Sequence, residues 1–259
     1  MNRITKAFKN KKAFIAFITG GDPDIETTEN LIVAMAESGA DIIEIGIPFS
    51  DPVAEGPVIQ QADERALANG CTVDKLFDMV KRVRENNKIE IPLLFMSYIN
   101  PIFVYGKDRF MAKCKETGID GVIIPDLPFE EKAELSAECA KYGITQISLI
   151  APTSRDRIKI IAKDAEGFIY CVSSLGVTGI RGEIDPSVTE MIKQVKSVAS
   201  VPCAIGFGIS TPEQARDMAA LSDGAIIGSA IVRIVAEYGR DCIKPVKDFV
   251  VKIKQVLSS

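Results

Sequence analysis

Residues 39–56 read Gly-Ala-Asp-Ile-Ile-Glu-Ile-Gly-Ile-Pro-Phe-Ser-Asp-Pro-Val-Ala-Glu-Gly. The first half, which ends at Gly46, is mostly apolar and rich in isoleucine, and this predicts a buried strand. Glu44 interrupts the apolar run, and a charge inside a buried strand is costly unless it is paired or used. The second half is a turn-rich loop that carries Asp51 and Glu55. The stretch therefore predicts a strand that brings one acid into the interior and a loop that adds two more.

The same strand-like pattern recurs along the chain and alternates with amphipathic segments. The predicted strands begin near Ala13, Ala40, Ile91, Asp120, Ile144, Glu166, Val201 and Asp223. Strands that alternate with helices predict a parallel sheet, and eight of them close a (β/α)8 barrel. An open doubly wound sheet is the alternative, but no Gly-x-Gly-x-x-Gly turn follows the first strand. We therefore predict an α/β fold, with residues 1–259 forming a single TIM-barrel domain.

Two connections in this predicted barrel are longer than the others. The spacing predicts extended loops after strands 2 and 6, and the basic N-terminal segment predicts a helix ahead of strand 1. The first loop includes a helical piece near residues 59–68, and the second spans residues 173–183. Both lie at the C-terminal ends of strands, the face on which barrel enzymes carry their active sites. The second loop contains three glycines, and we expect it to be a mobile lid.

Composition excludes several classes of function. The net charge of −4 gives no indication of nucleic-acid or anionic-membrane binding. The apolar runs are far shorter than the roughly 20 residues that a membrane helix needs. The six cysteines are widely spread without a Cys-x-x-Cys pair, which predicts free thiols and a cytoplasmic protein.

The absence of histidine narrows the chemistry further. It excludes Ser-His and Cys-His catalytic pairs and histidine-based metal sites, so a zinc-dependent aldolase is disfavoured. No lysine lies inside a predicted strand, which disfavours a Schiff-base aldolase. Any aldol-type cleavage must therefore rely on carboxylate acid–base chemistry.

Glycines at the ends of strands 7 and 8 indicate a phosphate site. Strand 7 ends in Gly206-Phe207-Gly208, and strand 8 ends in Gly228-Ser229 and enters a short helix. Glycines allow the backbone to approach an anion, and a helix N-terminus offers unpaired N–H groups. The loops after these two strands form the recurrent phosphate site of the barrel fold. The alternative is that these glycines only make tight turns.

Among the acids, Glu44 is the best candidate for a proton donor, because burial in a strand favours the protonated form. Asp51 is equally consistent with a catalytic acid and with a loop or interface acid. Asp22 lies in a Gly-Asp-Pro turn, which indicates a role in forming the turn rather than in catalysis. Aromatic and apolar residues at strand ends predict an apolar pocket, with ordinary core packing as the alternative. These residues are Phe17, Phe95, Met96, Tyr98 and Tyr170.

Seven motifs occur in order along nearly the whole chain. They are Phe17-Ile18-Thr19-Gly20-Gly21-Asp22-Pro23, Glu44-Ile45-Gly46-Ile47-Pro48-Phe49-Ser50-Asp51-Pro52, Tyr98-Ile99-Asn100-Pro101-Ile102, Asp126-Leu127-Pro128, Gly176-Val177-Thr178-Gly179, Gly206-Phe207-Gly208-Ile209-Ser210 and Gly228-Ser229-Ala230-Ile231-Val232. Together they resemble the tryptophan synthase alpha subunit family, and the block from Glu44 to Pro57 is the most specific part.

The resemblance implies a barrel that cleaves indole-3-glycerol phosphate to indole and glyceraldehyde 3-phosphate. It also implies an α2β2 complex in which pyridoxal phosphate belongs to the beta subunit and this chain holds no cofactor or metal. By position, Glu44 matches the catalytic glutamate, which protonates the indole ring carbon and deprotonates the glycerol side chain. Tyr170 matches a tyrosine beside it. The other matches imply an indole pocket formed by Phe17, Ile59 and Tyr98, and a phosphate site formed by Gly179, Gly206, Gly228 and Ser229. They also imply that Thr178, a loop residue, holds the second acid. Pro48 and Asp51 match the surface that faces the beta subunit.

One position departs from the family pattern. The family reads Ala-Asp-Gly-Pro after strand 2, and its aspartate accepts the indole N–H, whereas this chain has Glu55 there. The charge is kept on a longer arm, and catalytic geometry is sensitive to shifts of about 1 Å. The leading interpretation is a lyase with Glu44 and Glu55 as its acid–base pair. The alternatives are a weakly catalytic alpha subunit that mainly activates a beta subunit, and another phosphate-sugar TIM-barrel enzyme.

Overall fold

The computed structural model describes residues 2–172, 186–206 and 208–258. Eight parallel strands form a closed barrel in which each strand pairs with the next and β8 pairs with β1. The strands are β1 (Ala13–Thr19), β2 (Ile42–Gly46), β3 (Leu93–Met96), β4 (Gly121–Ile123), β5 (Thr145–Ile150), β6 (Ile169–Val172), β7 (Cys203–Gly206) and β8 (Gly224–Ile227). The predicted TIM barrel is confirmed, and the strands begin within about three residues of their predicted positions.

Helices surround the barrel. They are α1 (Arg3–Ala7), α2 (Ile25–Glu37), α3 (Pro57–Ala68), α4 (Val73–Glu85), α5 (Ile99–Tyr105), α6 (Lys107–Thr117), α7 (Ala133–Tyr142), α8 (Ile158–Asp164), α9 (Pro186–Val198), α10 (Pro212–Leu221), α11 (Ser229–Tyr238) and α12 (Ile243–Ser258). The predicted N-terminal helix is α1, and the predicted helical piece in the loop after β2 is α3. Within the described ranges, no helix has the length and apolar character needed to span a membrane.

Side-chain alternation along each strand decides which residues enter the barrel. Ile42 belongs to the interior cluster together with Ile15 and Tyr170, whereas Ile43 and Ile45 pack outward against the helices. Successive strand residues point to opposite faces, so Glu44, two positions after Ile42, points inward. The apolar character of the whole strand follows from burial on both faces, which is typical of parallel sheets.

Helix α1 closes the N-terminal end of the barrel. Its Ile4 side chain has no exposed surface and belongs to the interior cluster with Phe168 and Leu94. Arg3 on the same helix forms ion pairs with Glu90 and Asp120, both at 3.3 Å. This end of the barrel is therefore filled, and the opposite end is the one that is free to hold a site.

The loop after β2 extends over α3 before α4 begins, as predicted. The predicted lid after β6, residues 173–183, lies outside the described residues. The six cysteines are all buried and unbridged, in agreement with the expectation of free thiols.

Candidate active site

Glu44 lies at the centre of the candidate site. Its side chain points into the barrel from β2 and has no exposed surface. Neither carboxyl oxygen has a hydrogen-bond partner among the described residues. Burial without a partner penalises the ionised form, and this raises the pKa of Glu44 to about 8. A neutral carboxyl at pH 7 that regains its proton after giving it up is suited to acid–base work.

Tyr170 extends from β6 into the same interior. It is buried, and its pKa is raised by that burial and further by the charge of Glu44. Gly206, on the neighbouring strand β7, makes room for the ring, because a Cβ there would lie 2.6 Å from Tyr170 Oη. Tyr170 thus lies in the same interior as Glu44, and its hydroxyl packs against Gly206, where a side chain would clash.

Phe17 on β1 packs against the glycines at the ends of the two neighbouring strands, β2 and β8. A Cβ at Gly46 would lie 2.8 Å from its ring, and one at Gly228 would lie 3.1 Å from it. Phe17 packs in one cluster with Ile59 from α3, and Met96 lies against it. The structure thus brings Phe17 and Ile59 together as an apolar wall, and it gives Gly228 a packing role besides the predicted one in phosphate binding.

Phe95 is one predicted pocket residue that the structure places elsewhere. Its ring packs against Phe77 and Phe110 with centroid distances of 5.3 and 6.3 Å, outside the barrel. The reason is strand alternation, since Leu94 and Met96 on either side turn inward. Phe95 is therefore core, and Met96 remains with the pocket.

Tyr98 fastens the loop that carries Glu55. Its hydroxyl oxygen accepts the Ala54 N–H at 2.9 Å, and the hydroxyl group lies near the Glu55 carboxyl and lowers its pKa. The Tyr98 ring lies 5.2 Å from that of Phe49, and burial raises the pKa of its phenol to about 12. Tyr98 was expected in the indole pocket, and the structure adds a role in holding the second acid.

Glu55 lies half-buried at the start of α3. Burial raises the pKa of its carboxyl, whereas the neighbouring side chains of Asp63 and Tyr98 oppose that rise. Its Oε2 atom is buried, and no described residue donates a hydrogen bond to it. The amide of Gln60 bonds the Glu55 backbone oxygen at 2.8 Å and fixes the turn. Asp63 on α3 lies within hydrogen-bonding reach of the Glu55 carboxyl.

Two functional candidates were missed by the sequence reasoning, Thr19 and Asp63. Thr19 ends β1 beside Gly46, and its Oγ1 is buried without a hydrogen-bond partner among the described residues. Asp63 is only 4% exposed although it is an acid, and it lies four residues after Ile59 on α3. The available signal was an acid on the apolar face of an amphipathic helix beside two alanines.

Asp22 has the structural role that its turn indicated. Its carboxylate accepts two hydrogen bonds from the Arg65 guanidinium, both at 2.8 Å, and the carboxylate is almost fully buried. This bidentate pair ties the loop after β1 to α3. Asp22 is therefore committed to anchoring the helix that carries Asp63.

The predicted phosphate end lies where β7 and β8 finish. Gly228 precedes α11, and no side chain of the described residues caps this helix, so its first N–H groups at Ser229 are available to an anion. Gly206 ends β7, and Gly208 adopts a φ of 77° that favours glycine. The predicted contacts from Thr178 and Gly179 lie outside the described residues.

The surface beside the site carries exposed apolar side chains. Val53 and Val104 are each 81% exposed, and Phe103 is 46% exposed. Asp51 is exposed in the same loop as Val53, whereas Pro48 is buried in the isolated chain. Of the two predicted partner-facing residues, only Asp51 presents its side chain to solvent.

Comparison with known proteins identifies the family. A family model described as tryptophan synthase alpha chain matches residues 4–258. A tryptophan synthase alpha chain of Caldanaerobacter subterraneus subsp. tengcongensis is 49% identical, with 99% of this chain and 100% of that relative covered. One from Lacticaseibacillus casei is 48% identical, with 98% and 95% covered.

Solved structures agree with this result. Tryptophan synthase subunit alpha from Legionella pneumophila str. Paris has a TM-score of 0.89 and 38% identity, with 99% of this chain and 98% of that chain covered. A chain of the tryptophan synthase complex from Pyrococcus furiosus has a TM-score of 0.85 and 35% identity, with 94% and 98% covered. The match extends over nearly the whole sequence and the whole barrel, and the chain therefore belongs to the tryptophan synthase alpha chain family.

Proposed function

We propose that this chain is the lyase subunit of a tryptophan synthase, which cleaves indole-3-glycerol phosphate to indole and glyceraldehyde 3-phosphate in L-tryptophan biosynthesis. One observation carries the proposal for the site. The buried side-chain polar atoms without a partner, among the described residues, belong to Thr19, Glu44 and Glu55. All three lie at the C-terminal ends of β1 and β2 or in the loop that follows, beside an apolar wall. Unpaired buried polar groups are costly in a native fold unless a ligand completes them.

The reaction follows from the two acids. Glu44, neutral at pH 7, gives its proton to the ring carbon that bears the glycerol chain. At the same time the Glu55 carboxylate accepts the proton of the indole N–H. The Glu44 carboxylate then removes the proton from the adjacent hydroxyl, which becomes the aldehyde as the carbon–carbon bond breaks. The bonding electrons return to the ring, and Glu55 gives its proton back to the nitrogen. Both acids end the cycle in their starting states.

The substrate is positioned by the apolar wall and by the ends of the strands. The flat indole ring packs against Phe17 and Ile59, with Tyr170 beside Glu44. The phosphate binds at the N-terminus of α11, where Ser229 and the glycines that end β7 and β8 allow close approach of backbone N–H groups. From the family resemblance we assign Gly179 to the same phosphate site and Thr178 to the second acid.

The partner is a tryptophan synthase beta subunit, and we propose an α2β2 assembly in the cytoplasm. Pyridoxal phosphate belongs to the beta subunit in this proposal, and the chemistry assigned to this chain needs only its own carboxyl groups. Asp51, exposed in the loop after β2, is proposed to face the partner, and Pro48 shapes the same loop from within.

Replacement of Glu44 tests the proposal. Glu44→Gln keeps the shape of the side chain but removes the proton that is transferred, so we expect indole release to fall by about 10²–10⁴-fold. Indole release from indole-3-glycerol phosphate is the assay, with circular dichroism to show that the barrel is retained. Asp51→Asn, at an exposed position, is the matched control for the isolated chain. Full turnover by Glu44→Gln would overturn the assignment.

The longer arm of Glu55 keeps one alternative open, an alpha subunit that mainly activates its beta partner. The Tyr98 hydroxyl favours catalysis, because it holds the backbone N–H of Ala54, next to Glu55, at 2.9 Å. Indole release measured with and without the beta subunit separates the two functions. Complex formation with no indole release in either condition would favour the activator.

A further inference from the structure

Two carboxyl groups, those of Glu55 and Asp63, lie close together next to the candidate site. Asp63 lies on the buried side of α3, and Glu55 lies in the loop just before that helix. Their side chains are within hydrogen-bonding reach of each other. The backbone of Phe49, in the loop after β2, also lies near Asp63 and lowers its pKa, but burial and the neighbouring carboxylates outweigh this effect.

One shared proton would make this contact favourable. Two ionised carboxylates have no hydrogen to donate, and like charges at such a distance repel each other. The buried Glu55 Oε2 atom has no donor in the part of the chain that the structure describes. A proton on one carboxyl turns the contact into a charge-assisted hydrogen bond, which is among the stronger kinds in proteins.

The surroundings place that proton on Asp63. The nearby Tyr98 hydroxyl lowers the pKa of Glu55, which stabilises a charge on Glu55. Asp63 exposes less surface than Glu55. Its burial and the carboxylates of Glu55 and Asp22 raise its pKa to about 8. Arg65 neutralises much of the charge on Asp22 through its bidentate pair.

Two further titratable groups face Asp63. They are the phenol of Tyr98 and the thiol of Cys71, and both have raised pKa values. Both are therefore neutral at pH 7, and neither competes for the proton that the two carboxyls share.

We propose that Asp63 is a positioning residue for the lyase reaction. Its protonated carboxyl donates a hydrogen bond to Glu55. This bond holds the Glu55 side chain, which is longer than the aspartate of the family pattern, as an anion oriented toward the indole N–H. This inference rests on the proposed function and adds to it the group that orients the second acid. Because Asp63 touches Glu55 rather than substrate, its effect falls on kcat more than on KM.

Two substitutions at position 63 test the hydrogen bond. Asp63→Leu removes the donor at similar size, and we expect kcat to fall by about tenfold or more, as for a lost hydrogen bond to a charged group. Asp63→Asn keeps an N–H donor and is expected to retain most of kcat. Circular dichroism and thermal unfolding confirm that both variants fold. The proposal is overturned if Leu equals the wild type, or if Asn is as impaired as Leu.

Infrared titration gives a readout that does not depend on catalysis. Near pH 7 the wild type should show the carbonyl stretch of protonated carboxyls from both Glu44 and Asp63. Asp63→Asn should remove one contribution and Glu44→Gln the other. An unchanged spectrum in Asp63→Asn would overturn the inference. If Asp63→Asn loses its contribution to this band but Glu44→Gln and Glu55→Gln release indole at the wild-type rate, the two carboxyls share a proton and the proposed function is rejected.

Discussion

At the scale of single residues, Glu44 combines two conditions that seldom occur together. It occupies an inward strand position, and it has no partner among the described residues to stabilise its charge. A structural carboxyl would be paired, as Asp22 is with Arg65 at 2.8 Å. The contrast between these two buried acids separates an anchoring role from a reactive one.

This burial predicts that stability depends on pH. The pKa of Glu44 is raised from 4.5 to about 8 on folding, so the folded chain keeps a proton that the unfolded chain loses. The free energy of unfolding should therefore fall as pH rises from about 4.5 to about 8 and then level off. Between these two pKa values the fall is about 1.4 kcal/mol for each pH unit. Glu44→Gln should remove this contribution.

Urea unfolding near pH 6 and near pH 9 measures the effect. The wild type should lose more stability than Glu44→Gln over that interval. Asp63 titrates in the same direction but is present in both proteins, so the difference between them belongs to Glu44. Identical pH dependence in the two proteins would contradict the prediction.

The sequence was sufficient to single out Glu44 as a charge inside a buried strand, and Phe17 and Tyr170 as aromatic residues in strands. It was not sufficient to exclude Phe95, because the outward direction of that ring follows from the alternation seen in the structure. It was not sufficient for Asp63, since the contact with Glu55 depends on how closely α3 packs against the loop before it. The glycines that end β7 and β8 were predicted for phosphate binding, and their packing against Tyr170 and Phe17 depends on distances across the barrel.

At the scale of elements, each strand has apolar residues on both faces because helices cover the outside and side chains fill the inside. The strand positions were predicted well for this reason. Helix α5 was not predicted, because it is only seven residues long and contains Pro101. That proline lies in the first turn, where its missing N–H group leaves no intrahelical bond unmade.

The N-terminal helix α1 gives a prediction at this scale. Ile4 is fully buried in the barrel interior, so Ile4→Ala should lower the free energy of unfolding by about 2–4 kcal/mol through lost burial and a cavity. Lys6→Ala, at an exposed position of the same helix, should change stability by less than about 0.5 kcal/mol. Denaturant unfolding compares them, and equal stabilities would show that α1 does not support the barrel.

At the scale of the whole molecule, the barrel separates stability from chemistry. The N-terminal end is filled by α1, and the C-terminal end carries the acids, the apolar wall and the free N-terminus of α11. Exposed apolar side chains also lie near this end, in the loop after β2 and on α5. Tyr98 connects these two segments, because it precedes α5 and its hydroxyl accepts the Ala54 N–H from the loop. A partner that covers them would lie next to the loop that holds Glu55.

This arrangement predicts where the beta subunit binds. Val104 on α5 is 81% exposed, and burial of such a side chain at an interface stabilises a complex, so Val104→Glu should weaken binding to the beta subunit by about tenfold or more. Ile160, 59% exposed on α8, provides the matched control, and Ile160→Glu should leave the affinity unchanged. Titration calorimetry measures both, and indole release by the isolated chain should be unaffected in either variant. Equal affinities for the two variants would place the partner on another face, away from the loop that holds Glu55.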